Sequence, residues 1–86
     1  MTPADIERRV LEIFLEVAPD VDPQTLKRDV PFRDQFDFDS MDTLNFAIGL
    51  HKAFGVDVPE TEYRELASLA KATALVEKSS LTSAAQ

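Results

Sequence analysis

The stretch from Ser40 to Phe54 constrains this chain most, because it is apolar on two sides of one helix. Phe46, Leu50 and Phe54 recur every four residues, with Ala47 beside them. That is one stripe at helical spacing, and it points to a core. Met41, Leu44 and Ile48 recur at steps of three and four and form a second stripe, rotated away from the first. A helix apolar on two sides is either central to a bundle or offers one side to a partner. With 86 residues the core is modest, and burying both sides is hard. Met41 and Ile48, close to Ser40, therefore make a candidate docking surface of the kind used in helix-in-groove recognition.

The rest of the chain also reads as helical. Thr2, Pro3 and Asp5 form a helix start, with a cap, a proline suited to the first position and an acid at the positive end of the dipole. Ile6, Val10, Ile13, Phe14 and Val17 make one apolar stripe, and the helix should stop near Ala18, before Pro19. Residues 19–39 form a long connection punctuated by Pro23 and Pro31. Val21, Leu26, Val30, Phe32, Phe36 and Phe38 can pin it to the core, and a short helical turn fits residues 23–27. The second helix is expected from Asp39-Ser40 to about Phe54, where Gly55 supplies the stop. A short third helix fits Glu60–Leu66, and Ser68 caps a fourth that carries Leu69, Ala72 and Val76 at core spacing. The expected fold is all-α: a small four-helix bundle of three main helices and one short one, with a long first loop. Residues 1–78 form the domain and 79–86 read as a flexible C-terminal tail.

Charge and composition narrow the function. Sixteen acids against nine bases leave a net charge of -7. Such a surface repels nucleic acid and anionic membranes, and suits solubility or partners with basic docking patches. No cysteine is present, so the chain encodes no thiol nucleophile, thiolate metal site or disulfide. The N-terminus has no apolar signal core and no run reaches membrane-spanning length, which points to a cytoplasmic protein without membrane insertion. His51, the lone histidine, lies eleven residues from Ser40 on the same helix. That is roughly 16 Å at about 1.5 Å per residue, too far for a serine–histidine dyad. Asp37, Asp39 and Asp42 cluster at the helix start but lack the glycine and distal glutamate of a calcium loop. No catalytic residue and no metal site is therefore assigned.

Asp-Ser before an apolar helix is by itself an ordinary cap. The wider stretch FRDQFDFDSMDTLNFAIGLHKAFGVDVPE resembles the attachment region of acyl carrier proteins. The resemblance lies in Asp39-Ser40-Met41-Asp42 at the helix start, in Leu44, Leu50 and Phe54 along it, and in Phe54-Gly55-Val56-Asp57-Val58-Pro59 after it. The order of elements agrees over roughly residues 3–78. This resemblance implies that Ser40 accepts 4'-phosphopantetheine from coenzyme A through a separate magnesium-dependent phosphopantetheinyl transferase, and that Asp39 contributes to recognition by that enzyme. It implies a carrier without catalysis of its own, acting as a monomer and presenting acyl thioesters to acyl-transferring enzymes of fatty acid, polyketide or related lipid biosynthesis. Met41, Asp42, Leu44, Asn45, Ile48, His51 and Lys52 become candidate partner contacts. Phe46, Ala47 and Leu50 become candidates to line a space for a long acyl chain.

Two departures from the family pattern matter. Asp37 stands where a glycine is usual; if the position needs positive φ, aspartate tolerates it better than most residues. The second helix, usually acidic in fatty-acid-synthesis members, here has one acid, Asp42, and one base, Lys52. The acidity lies instead in residues 1–39, which hold ten acids and five bases. Charge steering then favours partners other than the housekeeping synthase enzymes, which suggests a specialised carrier. An aminoacyl cargo loaded by an adenylating or synthetase-like ligase stays open. An unmodified helical interaction module is the alternative of another class.

Overall fold

Each of the three long helices begins where a side chain takes over an orphaned backbone N–H. The computed structural model describes residues 2–84. α1 (Pro3–Val17) starts with a capping box: the Asp5 N–H donates to Thr2 Oγ1 at 3.2 Å, and the Thr2 N–H donates to the Asp5 carboxylate at 3.4 Å. Hydrogen bonding to Thr2 holds the Asp5 carboxyl below the usual carboxylate range. α2 is a single turn at Phe32–Gln35. α3 (Ser40–Phe54) ends at Gly55, whose φ of 71° lies in the left-handed region that favours glycine. A 3-10 helix spans Glu60–Leu66, and α4 runs Leu69–Ala84 with Ser68 Oγ accepting the Lys71 N–H at 3.2 Å. Among the described residues there is no strand, so the all-α expectation holds.

α1 packs against both α3 and α4, and the 3-10 helix bridges α3 and α4. The core they enclose contains Ile6, Val10, Ile13 and Phe14 from α1, Phe46, Ala47 and Leu50 from α3, and Leu69, Ala72 and Val76 from α4. Gly49 lets α1 and α3 approach closely. A Cβ at that position would stand 2.6 Å from Ile13 Cγ2, well inside contact distance.

The long connection is ordered by rings and by one glutamine. Phe32 stacks on Phe14 with ring centroids 4.1 Å apart, and Phe38 and Phe46 approach Phe14 at 5.3 and 5.7 Å. Phe36 completes the cluster at 6.1 Å. The Gln35 side chain staples the loop: its amide donates to the Lys27 and Val30 carbonyls and its oxygen accepts the Lys27 N–H, each at 2.8 Å. Arg28 reaches Glu7 of α1, 2.6 Å from guanidinium to carboxylate. The Phe32 N–H donates to the Ala67 carbonyl at 2.7 Å and ties the loop to the start of α4.

One expectation needs correction. Residues 23–25 form a turn, in which Asp22 accepts the Gln24 and Thr25 N–H groups, and no helix follows. The loop's helical turn lies at Phe32–Gln35 instead, because the burial of Phe32 against Phe14 sets the chain's path there. Residues 79–84, expected as a tail, continue α4. They contain neither glycine nor proline, so nothing local ends the helix. Residues 85 and 86 of that expected tail lie outside the described residues. Asp37 has no positive φ, so the loop makes no demand for glycine there.

Candidate functional site

At the start of α3 the capping work falls to Asp39 and leaves Ser40 out of it. Asp39 is the N-cap, and its Oδ1 accepts the Asp42 N–H at 2.9 Å. Asp42 reciprocates, its Oδ2 accepting the Asp39 N–H at 3.1 Å. Thr43 adds a third tie, its hydroxyl donating to the Asp39 carbonyl at 3.2 Å. Ser40 is the first helical residue and is exposed. Among the described residues no hydrogen bond engages its hydroxyl. An uncommitted serine hydroxyl at a rigid loop–helix junction is positioned to be modified. An anion placed on it would sit near the positive end of a fifteen-residue helix.

Phe38, drawn into the cluster around Phe14, fixes the loop just before this junction. At the junction a cleft of about 420 Å³ opens, lined by Asp39, Ser40 and Thr43 at the start of α3, Phe32, Arg33 and Phe38 from the loop, and Tyr63 and Arg64 from the 3-10 helix. A second cleft of about 560 Å³, walled by Asp20, Asp22, Asp37 and Asp42 together with Val17, Phe36 and Phe38, does not include Ser40. The first cleft thus has two arginines and one aspartate in its lining, and the second has four aspartates and no base.

The sequence model of the phosphopantetheine attachment site family matches residues 8–76. The chain belongs to that family. Its domain is an attachment site for covalently bound 4'-phosphopantetheine, in agreement with the resemblance to acyl carrier proteins. The residues at the start of α3 fit such a group, since they offer an exposed, unengaged hydroxyl beside cationic side chains. Domains of this family are generally carriers without catalysis, which meet phosphopantetheinyl transferases and acyl-handling enzymes.

The other expected residues fall into three environments. Met41, Leu44 and Ile48 lie on the surface of α3, at 60%, 38% and 43% exposure. Asn45, His51 and Lys52 are exposed too, whereas Asp42 is half-buried in the capping box. His51 sits at the far end of the helix from Ser40, its Nδ1 3.3 Å from the Val56 carbonyl oxygen, so its ring helps close the turn at Gly55. Phe46, Ala47 and Leu50 are buried in the core and do not line the cleft at Ser40. Among the described residues no group of three or more histidines and acids is arranged to hold a metal ion, and no helix is long and apolar enough to cross a membrane.

Sequence reasoning missed Arg33, Tyr63 and Arg64 as neighbours of Ser40, and missed Gln35 and Gly49 as determinants of the loop and the helix packing. The available signals were weak. Arg33 and Arg64 are basic residues within otherwise acidic short segments, and Gly49 is a helix-interior glycine with no local reason to be there.

Proposed function

We propose that Ser40 carries the phosphopantetheine arm and that the protein is a specialised acyl carrier. The observation that supports this most is the division of labour at the start of α3: Asp39 caps the helix, and the Ser40 hydroxyl is exposed and unengaged. In the loading reaction the Ser40 hydroxyl attacks the coenzyme A phosphorus that bears pantetheine. A phosphodiester forms, the pyrophosphate bond at that phosphorus breaks, and 3',5'-ADP leaves. The serine proton passes to the transferase, since among the described residues no basic group is hydrogen-bonded to the hydroxyl. The bound arm supplies a terminal thiol on which acyl groups are held as thioesters.

The exposed Met41, Leu44 and Ile48 next to Ser40 form the surface on which transferase and acyl-handling enzymes dock, with Asn45, His51 and Lys52 at its edge. The lack of net charge on α3 disfavours partners selected by an acidic helix and supports a dedicated set. The cargo is an acyl group of fatty acid, polyketide or related lipid metabolism. A long chain sheltered among the helices would have to part Phe46, Ala47 and Leu50 from close-packed neighbours, whereas a short or aminoacyl cargo would not.

Incubation with coenzyme A, magnesium and a broad-specificity phosphopantetheinyl transferase, followed by intact mass, tests the assignment. Wild type gains the mass of one arm and Ser40→Ala gains none. Equal gain in both, or none in either, overturns it. Met41→Ala and Ile48→Ala should retain the fold and load more slowly.

A further inference from the structure

The two clefts at the start of α3 differ in charge, and only one of them reaches Ser40. The lining of that cleft includes Arg33 from the loop, Arg64 from the 3-10 helix and one acid, Asp39, whose carboxylate is taken up in capping α3 by accepting the Asp42 N–H. Among the described residues neither arginine has an ion pair within 4.0 Å, although acids outnumber bases sixteen to nine and both Arg9 and Arg28 are paired. Phe38 and Tyr63, both half-buried, line the same cleft. A cleft lined by two guanidinium groups and two aromatic rings suits a ligand with an anionic head and an apolar body.

We infer that Arg33 and Arg64 seat the base of the arm in this cleft, their guanidinium groups donating to the phosphodiester on Ser40 while the branched pantoate segment lies on Phe38 and Tyr63. The inference rests on the attachment reading of Ser40. Reach selects the occupant, because the phosphorus would be one bond from Ser40 Oγ and the pantoate methyls follow directly after it. Chemistry agrees, because the planar, permanently charged donors of arginine match phosphate oxygens. The aspartate-walled cleft on the other side disfavours the same anion, so the arm is directed towards the 3-10 helix. The Met41–Leu44–Ile48 face stays open to a partner while the arm rests in its seat. Both arginines are exposed, so added salt weakens the seat.

The test uses intact holo-protein carrying an isotope-labelled arm. Wild type should show nuclear Overhauser contacts from the pantoate methyls to the Tyr63 and Phe38 rings, and a phosphorus resonance displaced from that of a free phosphodiester. In Arg33→Gln, Arg64→Gln and the double variant these contacts should weaken in that order of severity, singles before double, and the phosphorus resonance should move towards the free value. Arg8→Gln, on the exposed face of α1, should change neither. Thermal melting of the apo forms checks that the variants fold. Absence of the methyl–ring contacts in wild-type holo-protein overturns the inference, as does their survival at full strength in the double variant. Intact mass separates this failure from failure of the attachment reading: an unmodified wild type removes both, and a modified wild type without contacts removes only the seat.

Discussion

The two apolar faces of α3 are built from similar residues and meet opposite environments. Phe46, Ala47 and Leu50 are buried against α1 and the loop, while Met41, Leu44 and Ile48, interleaved with them in sequence, are exposed. The inner face holds the helix in the domain. The outer face contributes little to folding, and the proposed docking of partner enzymes would account for its apolar character. Under the proposed function one helix divides stability and recognition between its sides, with Ser40 at its first position.

Substitution on the two faces tests that division most directly. Phe46→Ala should destabilise by about 3–5 kcal/mol, because it opens a cavity beside the Phe14–Phe32 stack. Ile48→Ala should change stability by no more than about 0.5 kcal/mol, as exposed substitutions do. Denaturant unfolding of both variants reads the contrast, and similar losses would collapse the two faces into one core. Gly49→Ala probes the seam where the inner face meets α1. Alanine gains about 1 kcal/mol in helix propensity. The added methyl, however, would meet Ile13, which is itself buried, and overpacking costs about 1–3 kcal/mol. A net loss is expected, and a net gain would show that α1 and α3 are less tightly coupled than their geometry indicates. At the junction, Asp39→Ala should cost about 1 kcal/mol through loss of the cap, whereas Asp39→Asn should nearly preserve stability. If Asp39→Asn is stable but loads slowly, the aspartate charge serves the transferase as well as the helix.

Local features were the most legible in the sequence. The caps at Thr2, Asp39 and Ser68 and the stop at Gly55 depend on residues within three or four positions of one another, and they stand where they were expected. The core stripe of α1 and that of α4 were equally clear from their spacing. The long loop was not. Its helical turn appears at Phe32–Gln35 rather than at 23–27, because its path follows Phe32 onto Phe14, a contact between distant parts of the chain. The junction itself was ambiguous, since Asp39 and Ser40 are both good caps. Only their backbone positions assign the cap to one and leave the hydroxyl of the other unengaged.

The sequence by itself determined that the chain is helical, where its main helices begin, and that Ser40 with its neighbours is the place to look for an attachment site. The helices and their starts follow from periodicity and from hydrogen bonds within a turn or two, whereas the attention to Ser40 follows from the resemblance to acyl carrier proteins. The tertiary structure decided which stripe of α3 is buried, why Gly49 has no side chain, and which residues surround Ser40. Arg33 and Arg64 lie on opposite sides of Ser40 in the chain. They reach one cleft only because Phe32 is stacked in the core and its N–H is bonded to the Ala67 carbonyl. Long-range packing of this kind brings together residues whose spacing in sequence carries no pattern, so their shared site becomes visible only in the folded chain.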